Sequence, residues 1–321
     1  MIDHTSLYPL RPARLPSEGA ETRPGAWLSS LAFESGFRVW LSSGGRYYTA
    51  RMLGRVLVVA GSDSGGGAGI QADIKTITML GAYAATAVTA LTVQNTRGVL
   101  DVMPVPPAFV SAQMDAVLSD IGADCIKTGM LGSAEVIDAV VRSIERRGRN
   151  TPVVVDPVMV AKGGAALLAS DAVSAVKLRL VPLAAVVTPN VPEAEALTGL
   201  RITNVEEMGH AADLLLAMGA SAVLMKGGHL EGSQVVDILR TADGEQTVLQ
   251  ADRIDSRNTH GTGCTLASAL AAGIADGLRL SDAAIRAHDY VQRAIMLAPG
   301  LGTGHGPLHH GHPLETPRRE A

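Results

Sequence analysis

The feature that most restricts this chain is a series of buried-strand signals separated by helical stretches. RVLVVAG (55–61), DCIKTG (124–129), VVVDP (153–157), AVVTPN (185–190) and AVLMKGG (222–228) are short apolar runs, each closing on glycine, proline or a polar group. Thr86 to Val93 reads as a further strand. Helical patterns lie between and after them: Ile70 to Leu80, PPAFVSAQMDAVLSDIG ending at Gly122, Ser133 to Arg147, TLASALAAGIADG ending at Gly277, and Ser281 to Ala298. Near-continuous apolar strands alternating with helices imply a parallel sheet covered on both faces. Such a sheet binds ligands outside the carboxyl ends of its strands. Those ends carry Gly61-Ser62-Asp63, Lys127-Thr128-Gly129, Asp156-Pro157, Thr188-Pro189-Asn190 and Lys226-Gly227-Gly228, so one crevice would collect them.

Composition narrows the class. The 321 residues are 47% hydrophobic and 18% charged, as in a globular protein, and suffice for one large domain or two modest ones. A net charge of −4 gives no electrostatic reason to expect nucleic acid or an acidic membrane surface. No apolar run is long enough to span a bilayer, and no signal-peptide core is read near the N-terminus. The two cysteines, Cys125 and Cys264, fit a reducing cytoplasm rather than a disulfide framework.

The first 51 residues differ from the rest. Seven of the ten aromatic residues fall there, with six Arg, no Lys and four acidic residues, a net of +2 against −6 for the remainder. This segment reads as an appendage with no sustained periodicity apart from an amphipathic turn around Trp27 to Leu41. A disordered arm, a targeting segment and upstream sequence translated from a misassigned start compete to explain it. The last is preferred, because Met52 stands just before the first convincing strand, and Asp3, Glu18, Glu21 and Glu34 are out of place in a transit peptide. Residues 52–321 are then a single domain with a short His-rich C-terminal tail.

Four motifs carry chemistry. NTHGTGC (258–264) opens directly into a small-residue helix, so Gly261 and Gly263 sit at a helix N-terminus, where unpaired amides and the helix dipole suit an anion. Cys264 stands at the start of that helix, where a thiol pKa tends to fall. The glycine-rich stretch 61–76 lacks both phosphate-loop spacings, since Ile70 occupies the last position of a G-x-G-x-x-G, and reads as backbone folding close over a ligand. Asp73 on the following helix is either a polar anchor or a solvated helix acid. Asp156 at a strand end, with Asn190 and Glu193 three apart on a helix's first turn, supplies the oxygens that suit Mg²⁺. Taken singly, Asn190 reads as an N-cap and Glu193 as a dipole partner. Lys226, at a strand's carboxyl end before two glycines, can reach a phosphate as a point charge. The histidines of GHGPLHHGHP have no accompanying carboxylate or cysteine pattern, and a metal site there is disfavoured.

Taken together, AGSDSGGGAGIQADIKT, TALTVQNTRGV, KTGMLGS, DPVM, TPNVPEAEAL, VLMKGGHL, NTHGTGCTLASA and the final GHGPLHH resemble the bacterial hydroxymethylpyrimidine/phosphomethylpyrimidine kinases of thiamin biosynthesis, in the ribokinase-like superfamily. The resemblance covers Val56 to His312. It implies an α/β fold of the ribokinase-like kind, a three-layer α/β/α sandwich with a mainly parallel central sheet. It also implies transfer of the γ-phosphate of ATP to 4-amino-5-hydroxymethyl-2-methylpyrimidine, and then to its monophosphate, with Mg²⁺. Gly61, Asp73 and Gln94 match pyrimidine-binding positions, with Met130 and Val158 lining that pocket. Asn190, Glu193, Lys226 and Thr262 match the nucleotide side, and Asp156 and Glu193 the metal. Gly261, Thr262, Gly263 and Cys264 match the anion hole and catalytic positions, together with Lys226. The resemblance further implies a homodimer in the cytoplasm with small-molecule partners only. Sugar kinases of this fold carry a basic aspartate where Cys264 stands, so the cysteine's exact role stays open. The competing readings are a pyridoxal/pyridoxine kinase and a catalytically inactive pyrimidine-binding sensor. Gln94 favours the aminopyrimidine over pyridoxal, since an amide can donate to a ring nitrogen and accept from an exocyclic amine. Intact Lys226, Glu193 and GTGC argue against the sensor.

Overall fold

Alternation along the central strands decides which side chain feeds which layer. In the strand Arg55–Asp63, Leu57 and Val59 enter one hydrophobic cluster, while Val56, Val58 and Ala60 enter the other. The computed structural model describes residues 53–159 and 170–315, together with the backbone of two strands, β1 (Phe37–Leu41) and β2 (Tyr47–Arg51). The chain divides into two units, Met1–Met52 and Leu53–Ala321. In the first, β1 and β2 pair antiparallel, so the stretch expected as an amphipathic turn ends in a strand at 37–41. The rest of that turn lies outside the described residues.

The second unit runs β3 (Arg55–Asp63), α1 (Gly69–Met79), β4 (Tyr83–Asn95), β5 (Gly98–Pro104), α2 (Pro107–Asp120), β6 (Cys125–Thr128), α3 (Ala134–Arg147) and β7 (Val153–Val155). It continues with α4 (Ser170–Ala175), β8 (Val186–Val187), α5 (Val191–Thr198), α6 (Val205–Ala217), β9 (Ala222–Met225), β10 (Gln234–Thr241), β11 (Gln246–Asp252), α7 (Thr262–Ala275) and α8 (Leu280–Met296). The nine strands form one sheet in the order β11-β10-β9-β8-β7-β6-β3-β4-β5. Its centre, from β4 to β9, is parallel. Residues of α2 to α6 fill one face of the sheet, and residues of α1, α7 and α8 fill the other. This is the expected three-layer α/β/α sandwich.

Three strands are absent from the sequence reading: β5, β10 and β11, all antiparallel. They lie toward the sheet's ends and are partly exposed, so their residues mix apolar and charged types such as Asp101 and Arg240. The C-terminal histidines belong to a segment docked on the fold. The Tyr290 hydroxyl donates to the His310 carbonyl at 2.6 Å, and His310 Nε2 lies 3.0 Å from Thr265 Oγ1 on α7. Burial pushes the His310 imidazole down to about 4, so it is neutral at physiological pH. Earlier in this segment, the His305 amide donates to the Thr96 carbonyl, and the Gly306 carbonyl accepts from the His260 amide.

Candidate active site

At the carboxyl ends of the parallel strands lies a cavity of about 410 Å³. Gly61, Gln94, Met130, Val158, Asp156, Asn190, Glu193, Lys226 and the Gly261–Cys264 run all line it. Asp73 is the exception among the expected residues. It is fully buried in α1, where its carboxylate accepts from Lys127 Nζ at 2.9 and 3.0 Å and from Ser268 Oγ at 2.6 Å. The solvated-acid reading does not survive, and Asp73 is not among the residues that line the cavity. Asp73 ties α1 to β6 and α7 from beneath. Burial pushes its carboxyl up, against the pull of Lys127 and Ser268. Burial also works against the Lys127 charge, but Asp73, with Asp156, holds the ammonium protonated.

The anion-hole reading has a steric basis. Gly261 is the N-cap of α7 at φ +86°, and a Cβ there would lie 1.9 Å from the Gly67 carbonyl oxygen. A Cβ on Gly263 would lie 3.2 Å from Lys226 Nζ and 3.8 Å from Asp156 Oδ2. The lysine ammonium therefore sits against the first turn of α7, whose amides lack intrahelical partners. Lys226 Nζ is 2.9 Å from Asp156 Oδ1 and 3.8 Å from Glu193 Oε2, and Thr188 Oγ1 donates to the same Asp156 oxygen at 3.1 Å. Asn190 and Glu193 form a reciprocal capping box on α5, so the structural reading of each is right and both still line the cavity. Burial pushes the Glu193 carboxyl up to about 7, with Lys226 opposing. The loop after Lys226 is fixed by two groups the sequence reading missed. Asp237 accepts from the Gly227 amide, and Arg253 donates to the carbonyls of Gly228, Leu230 and Gly232.

The expected low pKa of Cys264 is not what the structure has. Burial pushes this thiol up to about 12, with Lys127 pulling it down and Asp73 and Asp156 pushing it further up. The glycine-rich loop lines the cavity through Ser62, Asp63, Ala68 and Gly69. The amides of Gly65, Gly67 and Ala68 are taken up by the loop's own Asp63 carboxylate at 2.8 to 3.0 Å. Burial works against the Asp63 charge, but hydrogen bonds from His260, Ala68 and Gly65 hold the carboxyl below its usual range. Asp63 and His260 both line the cavity, although sequence reasoning gave neither a role. The available signal was their place at a strand end and immediately before the GTG run.

A three-layer α/β/α sandwich with a lysine, two carboxylates and a glycine-headed helix gathered at its strand ends defines a ribokinase-like phosphoryl-transfer fold. In agreement, the chain superposes on Bacillus subtilis pyridoxal kinase, solved as an ADP complex, with a TM-score of 0.75 at 35% identity, covering 81% of this chain and 98% of that one. The chain belongs to the phosphomethylpyrimidine kinase family, whose model matches residues 63–309. It is 51% identical over 265 residues to the hydroxymethylpyrimidine/phosphomethylpyrimidine kinase of Rhizobium meliloti, covering 81% of this chain and 98% of that protein. It is also 56% identical over 257 residues to the thiamine biosynthesis bifunctional protein ThiED of Geobacter sulfurreducens, where it covers 80% of this chain but spans about half, 52%, of the relative.

Proposed function

We propose that this chain transfers the γ-phosphate of ATP to 4-amino-5-hydroxymethyl-2-methylpyrimidine, and then a second phosphate to the resulting monophosphate, in thiamin biosynthesis. The observation that carries this reading is the placement of Lys226 Nζ, 2.9 Å from Asp156, against Gly263 at the head of α7, in the same cavity as Gln94. Phosphoryl transfer depends mostly on positioning and on stabilising charge, and these groups supply both. Gly61, Gln94, Met130 and Val158 hold the acceptor, while Asn190, Glu193, Lys226 and Thr262 hold the nucleotide. Asp156 and Glu193, both converging on Lys226 Nζ, fit Mg²⁺, which keeps most of its waters and takes one or two carboxylates. When bound, the ion would neutralise charge on the phosphate oxygens. Pyridoxal kinase is the second reading, favoured by the likeness to the Bacillus subtilis enzyme, but at 35% that identity is well below the 51% to the Rhizobium kinase.

A coupled assay of ADP release tests this with three acceptors: hydroxymethylpyrimidine, its monophosphate and pyridoxal. Turnover is expected with both pyrimidines, at a kcat/KM at least about tenfold above pyridoxal, because a buried group left unpaired costs about 1–3 kcal/mol. Preference for pyridoxal would overturn the assignment, and silence on all three would favour a sensor.

The catalytic unit is proposed to be complete in residues 52–321, cytoplasmic and homodimeric. Leu91, Val93 and Met103 stand exposed on one face of the edge formed by β4 and β5, an apolar patch of the kind a second copy would cover. Among the described residues no helix is long and apolar enough to cross a membrane. A chain beginning at Met52 is expected to retain full turnover and to sediment as a dimer. Loss of folding or activity would sink the first half of this proposal, and a monomer at micromolar concentration the second.

A further inference from the structure

Gln94 Nε2 lies 3.2 Å from His260 Nε2, and the same ring nitrogen lies 2.9 Å from Asp63 Oδ2. The Asp63 carboxylate already gathers the amides of Gly65, Gly67 and Ala68, so it is ionised and can only accept. His260 Nε2 therefore carries a hydrogen, whatever the state of Nδ1. An amide NH₂ only donates, and two donors cannot face each other at 3.2 Å. The oxygen and nitrogen of an amide exchange places by a half-turn, and their assignment follows from the surrounding network. Gln94 must therefore turn its oxygen towards His260, which shares its Nε2–H between Asp63 and that oxygen.

The other end of the amide demands the same orientation. Thr92 Oγ1 stands 3.2 Å from the atom placed as Gln94 Oε1, and its single hydrogen goes to the Ser62 carbonyl at 2.9 Å. A lone pair remains towards Gln94, and a lone pair calls for an N–H. The imidazole is itself clamped. A Cβ on Gly67 would come within 2.6 Å of His260 Cδ2, and the His260 amide is bound to the Gly306 carbonyl.

We infer that Asp63 and His260 are positioning residues that fix which way the Gln94 amide points, and so set the acceptor specificity of the site. This rests on the reading that the cavity takes an aminopyrimidine. With its oxygen on His260 and one N–H on Thr92, Gln94 keeps one N–H and one lone pair for a ligand. Those complement a ring nitrogen beside an exocyclic amine, a pair that pyridoxal lacks.

The test is steady-state kinetics of His260→Leu and His260→Gln, with hydroxymethylpyrimidine, pyridoxal and ATP each varied. A glutamine can return an N–H near the position of Nε2. Losing one oriented hydrogen bond of about 1–1.5 kcal/mol should raise the pyrimidine KM about tenfold in His260→Leu, leave the ATP KM within about twofold, and lower the preference over pyridoxal about tenfold. His260→Gln should recover to within about threefold of the parent. Equal rises in both KM values, or a glutamine variant no better than leucine, would overturn the inference. If His260→Leu does not fold, Thr92→Val removes the lone pair at the other end and must raise the pyrimidine KM alone; an unchanged KM refutes the orientation. A parent enzyme inactive on the pyrimidine would instead refute the proposed function, which separates the two failures.

Discussion

Lys226→Ala is expected to cut turnover by a factor on the order of 10²–10³ on both acceptors, the loss that accompanies removal of one preorganised charge-stabilising group. The effect should be the same in the two steps, because the transferred phosphoryl group is common to them. A second consequence is structural. The Asp156 side chain is 1% exposed and that of Lys226 12%, so the alanine leaves a buried carboxylate with Thr188 as its remaining side-chain donor. Removing one partner of a buried pair costs about 3–5 kcal/mol. For a domain of this size, that should lower Tm by roughly 10 °C, at about 2–4 °C per kcal/mol. Arginine should not rescue, since a Cβ on Gly263 would already lie 3.2 Å from the ammonium, leaving little room for a larger head group. ADP release on each acceptor, together with a thermal melt, checks both parts. A folded Lys226→Ala chain keeping more than about a tenth of its turnover on either acceptor would remove Lys226 from the transfer step.

Cys264→Ala should separate the two steps that Lys226→Ala does not. The hydroxymethyl acceptor has a proton to lose, whereas the monophosphate acceptor is already an anion. If the Cys264 thiolate is the base, its loss should cost the first step about 10²-fold and the second less than about tenfold. The sign of the pH dependence follows from the thiol value. Because burial pushes it up to about 12, the neutral thiol predominates throughout the working range and the thiolate fraction grows with each step up in pH. The first step should therefore climb steadily from acid through alkaline pH in the parent enzyme, and lose that slope in Cys264→Ala. The second step should show no such slope. Single-turnover mixing keeps product release from hiding the effect. Flat profiles with equal losses on both acceptors would move Cys264 from base to packing or anion binding.

What the sequence reveals of this site depends on how local each cause is. The central strands are legible because Val153 to Val155 and Ala222 to Met225 are buried on both faces and carry no competing pattern. The strand-end groups follow from the parallel topology, which brings Asp156, Asn190 and Lys226 into one crevice without further information. The burial of Asp73 is not legible because spacing along a helix cannot say which face turns inward, and its partner Lys127 lies 54 residues away. The upward shift of the thiol is hidden for a related reason: the helix terminus is a local signal, whereas the burial that raises the thiol comes from the assembled tertiary structure. The pairing of Asp63 with His260 spans 197 residues and leaves no periodic trace. Edge strands such as β5 and β11 are hidden by their own partial exposure, which mixes residue types.

The docked segment around His305 carries a consequence for the order of assembly. Gly304 bonds to Thr96 across 208 residues, and the segment also fixes the backbone of His260. Contacts this distant close only after the intervening chain has been collected, which makes them slow to form. The wall that carries Gln94 and His260 is therefore braced by the last-made part of the described chain, so its integrity depends on residues far from it in sequence.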